Sequence, residues 1–352
     1  MNLRPALLLS LLAAVLAISA SCGGGGDGAS SGGPLPGATP GKKAGAPAGG
    51  AGALIITKPQ GLVEYGIDAK SSKPLITPAQ ESTFLLDPAL SADGKLLAYV
   101  LQPPPRIEGK TYDAGSDLWV ANRDGSNQHA VFTHSTPNQL VRFPQWEDAG
   151  HILAVVQEIS LVDGATRVVY VLERIDAATG ERVKVLEDVL AFGISPDGKR
   201  AVYAHLAPET GETLDVVELA SGERTTLIGI DQQLSPFNSP RYSPDGGTIA
   251  FASADQTGAR ARLEYVSARG FGPPRAPATD GLPEDIWLID AGGGPARRAA
   301  DLKEDLPALA WGGDGDHIYV LGASALYDVN LVNGAVVELG EGSFHGQLVW
   351  AP

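Results

Sequence analysis

Phe192-Gly193-Ile194-Ser195-Pro196-Asp197-Gly198-Lys199-Arg200-Ala201-Val202-Tyr203 reads as an apolar strand, a tight turn and a second apolar strand. Pro196 presets φ for a turn position, the Asp197 carboxylate can hydrogen-bond its own turn backbone, and Gly198 tolerates positive φ. Ser-Pro-Asp-Gly between β-branched and aromatic runs therefore predicts a hairpin. The arrangement returns as Tyr242-Ser243-Pro244-Asp245-Gly246-Gly247-Thr248-Ile249 and, earlier, as Leu90-Ser91-Ala92-Asp93-Gly94-Lys95-Leu96-Leu97. Degenerate copies begin at Trp146-Glu147-Asp148-Ala149-Gly150 and Trp311-Gly312-Gly313-Asp314-Gly315.

Each copy is followed by a second pair of strands with its own turn, at 117–127, 168–180, 214–222, 285–293 and 326–334. The repeat unit is thus four strands with two Gly-bearing turns. Asp93, Asp148, Asp197, Asp245 and Asp314 are spaced by 55, 49, 48 and 69 residues, the period of a β-propeller, whose blades bury their faces only against neighbouring blades. Five full units are visible, and the two chain ends supply a sixth. Short strands at 54–57, 62–67 and 74–77, separated by turns at 59–61 and 70–72, lack an innermost strand, whereas Gly346-Gln347-Leu348-Val349-Trp350 aligns with the innermost strands that end in Trp146 and Trp311. The expectation is an all-β, six-bladed propeller over 53–352 with four-stranded blades, closed by the C-terminal strand joining the N-terminal blade, which removes free sheet edges.

The formal net charge of −15 argues against a nucleic-acid partner, which calls for a basic surface. Cys22 is the only cysteine, so neither a disulfide framework nor a thiolate metal cluster forms. Met1 to Arg4 gives a short positive start, residues 5–20 are apolar but too short and Ala-rich for a comfortable membrane span, and Ser19-Ala20-Ser21 precedes Cys22. This resembles a bacterial lipoprotein signal over 1–21, which implies cleavage before Cys22, lipidation of Cys22 and attachment to a membrane outside the cytoplasm. Residues 23–52 are almost entirely Gly, Ala, Ser and Pro and cannot bury enough apolar surface to offset their ordering entropy. Together with Cys22 they read as a flexible tether reaching about 30 Å. Gly28-Ala29-Ser30-Ser31-Gly32 matches the G-x-S-x-G elbow of serine hydrolases, but that elbow requires a strand before it and a helix after it, which this composition excludes.

Ser-Pro-Asp-Gly-Lys followed by an apolar strand, then Asp117-Leu118-Trp119-Val120 leading to Asp124-Gly125-Ser126-Asn127, and Asp285-Ile286-Trp287-Leu288-Ile289-Asp290, resembles the repeat of TolB-type, WD-repeat-like propellers. The resemblance covers nearly all of 53–352. It implies that Ser195, Asp197, Gly198 and Asp245 are structural, that the partners are envelope proteins or peptides, and that the location is periplasmic. A similar propeller precedes the hydrolase domain of prolyl-oligopeptidase-like enzymes; the expectation here is a propeller without that domain, the sequence ending at Pro352.

Propeller geometry puts first-to-second and third-to-fourth turns on one side and second-to-third loops on the other. Insertions at 102–116, 157–166, 206–213 and 253–284 then crowd one side, where long loops on a rigid scaffold carry binding. The longest bears Arg260, Arg262, Arg269 and Arg275 beside Tyr265 and Phe271, a candidate contact arm for an anionic partner. The innermost strands begin on the same side with Asp87, Arg142, Asn238, Arg241, His345 and Gln347, a candidate binding site at the mouth of the central channel. Six histidines are scattered without ligand spacing; His129 and His134 read as a surface pair without metal. No catalytic acid–base pair, resident metal or cofactor is nominated. The leading reading is a protein- or peptide-binding or scaffolding module; the alternatives are a lyase or hydrolase, or a small-ligand sensor, using the channel mouth.

Overall fold

The computed structural model describes residues 52–108, 111–162, 165–207, 211–257, 283–343 and 347–352. It is built almost wholly of strands, arranged as six four-stranded antiparallel blades. Blade 1 runs from the axis outward as β26 (Leu348–Ala351), β1 (Ala53–Lys58), β2 (Gly61–Gly66) and β3 (Ser71–Ile76). Blade 2 is β4 (Phe84–Leu90), β5 (Leu96–Gln102), β8 (Asp117–Asn122) and β9 (His129–Phe132), with a small hairpin of β6 (Arg106–Glu108) and β7 (Thr111–Asp113) in its second-to-third loop. Blade 3 is β10 (Leu140–Trp146), β11 (His151–Val162), β12 (Ala165–Asp176) and β13 (Arg182–Glu187). Blade 4 is β14 (Val189–Ile194), β15 (Arg200–Ala207), β16 (Gly211–Glu218) and β17 (Arg224–Ile228). Blade 5 is β18 (Asn238–Tyr242), β19 (Thr248–Ser253), β20 (Glu284–Asp290) and β21 (Arg297–Glu304); blade 6 is β22 (Ala308–Trp311), β23 (His317–Leu321), β24 (Ala325–Asn330) and β25 (Val336–Glu341).

The repeated turn is stabilised by its own polar groups. Ser195 Oγ donates to Asp197 Oδ1 at 2.6 Å and accepts from Arg200 N at 2.9 Å, while Lys199 N donates to the same carboxylate oxygen. Gly198 sits at φ +70°, a region that costs a residue with a Cβ. Ser91 with Asp93 and Ser243 with Asp245 repeat the bonding. These hydrogen bonds hold the exposed Asp93 carboxyl down to about 2, the Ser91 hydroxyl being the chief cause.

A four-stranded sheet cannot bury both faces alone, and the core is accordingly divided into six clusters, each shared by two adjoining blades. Leu54, Ile56 and Leu348 pack with Leu321 and Leu326 between blades 1 and 6; Ile55, Leu62 and Ala351 pack with Leu85, Leu97 and Tyr99 between blades 1 and 2. The other four cores follow around the ring in order. The expected closure is present: β26 pairs antiparallel with β1, Leu54 opposite Trp350 and Ile56 opposite Leu348. At this seam Trp350 stacks on Tyr319 of blade 6, rings 5.6 Å apart, and Tyr65 donates to the Leu339 carbonyl.

The loops differ from expectation. Residues 157–166 are not a loop: β11 and β12 continue in register from His151↔Asp176 to Val162↔Ala165, so the insertion is a projecting hairpin. Residues 206–207 and 211–213 likewise belong to β15 and β16, pairing Ala207 with Gly211. β-Branched and aromatic residues at 168–171 favour strand over loop. The third N-terminal strand lies at Ser71–Ile76 and its turn is earlier than 70–72, because Lys70 takes φ +45° and its N–H returns to the Ile67 carbonyl. Ser253 and Glu284 are buried strand residues, so the insertion is narrower than 253–284.

Truncation of Leu54 to Ala opens the core at the seam and is expected to lower stability by about 2–5 kcal/mol, whereas Val337→Ala, on the exposed outer strand of blade 6, should change it by less than about 0.5 kcal/mol. Urea denaturation checks both; equal effects would contradict the division into interblade cores.

Candidate functional site

The site begins with a backbone irregularity repeated around the axis. An innermost strand has only one bonded neighbour and turns its other edge to the axis, where a proline's missing N–H leaves no ladder bond unmade. Three innermost strands carry such a proline and break register there: β4 between Leu86 and Ala89, β10 between Arg142 and Gln145, and β18 between Asn238 and Arg241. The residue before each proline, Asp87, Phe143 or Ser239, has φ between +47° and +56°. A bulge leaves one residue unpaired and re-aims its side chain. Here those side chains stitch neighbouring blades: Asp87 Oδ2 accepts from Arg142 Nε at 2.9 Å and Phe143 N at 3.1 Å, and Ser239 Oγ accepts from Leu309 N at 2.9 Å.

Arg241, just past the β18 bulge, reaches across the ring. Its Nη1 donates to the carbonyls of Phe192 and Pro240, both at 2.8 Å, and its Nη2 donates at 2.7 Å to Oε1 of Gln347, the residue preceding β26. Ser239 Oγ donates to the same oxygen at 2.9 Å. The guanidinium therefore joins blades 4, 5 and 1. Desolvation at this half-buried position pulls it down to about 10, against the opposing field of Asp87. Arg142, with a third of its side chain exposed, keeps both Nη groups without an acceptor among the described residues. Asp87 is buried, and its Oδ1 has no hydrogen-bond partner there.

Asp87, Arg142, Arg241 and Gln347 thus meet, but in the bulge layer, three or four residues inside the strands that carry the first three, not at the rim. Asn238 does not join them: its Nδ2 donates to Glu284 Oε1 at 2.7 Å. His345, the arm residues Arg260, Arg262, Tyr265, Arg269, Phe271 and Arg275, and Cys22 lie outside the described residues.

Two acids beside the layer escaped sequence reasoning. Glu212, at the start of β16, accepts from Phe237 N at 2.7 Å, and Glu284, at the start of β20, receives the Asn238 amide, so acids from two blades grip consecutive residues on the link into β18. Burial pushes Glu212 up to about 7, opposed by the Phe237 N–H. Burial pushes Glu284 up to about 8; the Asn238 bond opposes this, while Asp305 and Glu212 add to it. Both glutamates follow Gly- or Pro-rich sequence and read there as solvated loop residues. His134 was also misjudged. Its Nδ1 lies 2.6 Å from Asp117 Oδ1 and its Nε2 3.2 Å from Asp113 Oδ2, while His129 is exposed and meets only the Asn127 carbonyl. Partial burial disfavours the imidazolium, but Asp117 and Asp113 outweigh it and the pKa is raised. No group of three metal-ligating side chains gathers among the described residues.

Neither a protein-family model nor a curated protein matches the sequence. Solved structures do. TolB from Acinetobacter baumannii aligns with TM-score 0.54 and 14% identity over 86% of this chain, which spans 66% of that one. A TolB structure from Agrobacterium tumefaciens aligns with TM-score 0.52 and 17% identity, over 85% of this chain and 94% of the other. A nidogen/laminin complex structure aligns with TM-score 0.59 and 7% identity, over 86% and 98%. At these identities the likeness is one of fold: the chain is a TolB-like six-bladed β-propeller.

Because the folded-state values of Glu212 and Glu284 lie above the ordinary carboxyl value, their contribution to stability is complete below about 4.5 and is lost as pH climbs through about 7 and about 8. His134, also raised, acts in the same direction. Urea midpoints are expected to fall over this interval and to fall less in Glu284→Gln; a midpoint constant across it would contradict the burial of these acids.

Proposed function

We propose that this chain is a protein- or peptide-binding propeller of the bacterial envelope, lipidated at Cys22 and standing off a membrane on the 23–52 tether. The observation that carries the binding reading is the polar layer of Asp87, Arg142, Arg241 and Gln347, gathered at the axis inward of the side where the innermost strands begin. The β6–β7 hairpin and the extended β11–β12 hairpin belong to the same side and expose Ile107 and Val168. Rigid blades carrying polar groups at the axis and apolar side chains on projections suit recognition of another chain. A TolB-like fold supports a protein-binding module in general, and the nidogen/laminin structure is a complex of two proteins. The envelope location and the lipid rest on the sequence of residues 1–22; several acyl chains on one residue, at about 0.8 kcal/mol per buried methylene, hold a protein stably to a membrane.

The enzyme reading requires an acid–base pair at the axis. The polar layer there comprises two arginines, a glutamine, the Ser239 hydroxyl and an aspartate already accepting two hydrogen bonds, a set suited to holding a ligand.

Cys22→Ala is expected to move the protein from the membrane pellet to the soluble fraction; retention in the pellet would refute the anchor. Peptides selected from a random library against the soluble variant should lose binding to Ile107→Glu and Val168→Glu but not to Val332→Glu, which lies in the exposed β24–β25 turn on the opposite side. The reverse pattern would place recognition on the turn side and overturn the proposal.

A further inference from the structure

Arg241 is out of balance with its surroundings. Drawing a charge out of water costs free energy unless it is paired, yet the acceptors around this half-buried guanidinium are neutral: two backbone carbonyls and the Gln347 amide oxygen. The carboxylate whose field acts on it, Asp87, already accepts from Arg142 and the Phe143 N–H. Two guanidinium groups therefore face one carboxylate at the axis of a chain whose net charge is −15. The remaining hydrogen-bonding capacity is also one-sided. Arg241 can only donate, which fixes Oε1 of Gln347 toward it and leaves the Gln347 Nε2 group with no acceptor among the described residues. The Nη groups of Arg142, whose guanidinium lies over the Phe143 ring, likewise have no acceptor among the described residues, and Asp87 Oδ1, the spare side-chain acceptor of these four residues, is shut away by burial.

We infer that the bulge layer of Asp87, Arg142, Arg241 and Gln347 is a receptor for a single carboxylate, with Arg241 as its charge partner and Arg142 and Gln347 as flanking donors. A planar carboxylate matches the guanidinium fork, and its single charge matches the one uncompensated arginine. A phosphate monoester, carrying nearly two charges, would overshoot that balance within an acidic protein. The carboxylate can belong to a peptide C-terminus or to a free small acid. This inference rests on the axis-binding reading above and specifies what is held there.

The test uses the soluble Cys22→Ala chain and selected peptides made with free or amidated C-termini, with succinate, succinamide and inorganic phosphate as small probes read by melting temperature. The free-acid peptides are expected to bind about ten- to a hundredfold more tightly than the amides, the range for hydrogen bonds to a charged group. Arg241→Gln should abolish the difference. Because Arg241 also ties three blades together, Arg142→Gln is tested in parallel and should reduce the difference if the melting curve shows that Arg241→Gln is unfolded. Succinate raising the melting temperature while acid and amide peptides bind equally would assign the site to a free acid and uphold the carboxylate. Equal peptide binding with no succinate effect would overturn the inference and leave peptide recognition standing; absence of both peptide binding and a succinate effect would overturn both. A phosphate response larger than that of succinate would overturn the carboxylate assignment.

Discussion

The ring depends on one pairing made between the two ends of the folded chain, β26 against β1. Each blade is too thin to bury its faces alone, so its hydrophobic free energy is realised only between neighbours. Every blade therefore contributes to two cores, and blade 1 contributes to the two that meet at the seam. Leu348 enters one of them and Ala351 the other, so the last strand is a structural component of both. The flat stacking of Trp350 on Tyr319 and the Lys58 and Tyr65 hydrogen bonds to carbonyls of blade 6 tie the same joint from its polar side.

Closure also creates the environment of the candidate site. Six innermost strands turn their unpaired edges toward one axis, and there the fold tolerates prolines and positive-φ residues that an interior strand would not. The bulges at Asp87, Phe143 and Ser239 convert this tolerance into interblade hydrogen bonds, and Arg241 spans what remains. Glu212 and Glu284 grip the link that leads into the Ser239 bulge, so the protonation of buried Glu284 and half-buried Glu212 bears on the strand that presents Arg241.

The blades were legible in the sequence because they are local: Ser-Pro-Asp-Gly turns, alternating strands and a regular period encode each hairpin within a dozen residues, and the closing strand followed from the blade that lacked one. The lengthening of β11 and β12 through 157–162 and 165–166 is not legible, because extra length at a second-to-third position suits a loop as well as longer strands, and the strand-favouring run from Val168 to Val171 marks only the strand that leaves the insertion. The axis residues were named from their place at the starts of strands, but their depth and pairing depend on bulges that register alone does not show. The Pro88, Pro144 and Pro240 spacing was the available signal, since a proline in an otherwise good strand points to an edge or a bulge. Glu212, Glu284 and His134 were unreadable because burial arises from blades far apart in sequence, as with the reach from Glu284 to Asn238.

The central claim is that closure of the ring leaves a half-buried guanidinium with only neutral hydrogen-bond acceptors at the axis, ready for a carboxylate. Nitrogen-15 NMR of the arginine side chains, with the Arg241 Nε–H assigned by its loss in Arg241→Gln, tests this most directly. A saturable shift of that resonance on adding succinate, and none on adding succinamide, is the predicted result. A resonance that is unmoved by succinate, or moved equally by both compounds, would contradict the account.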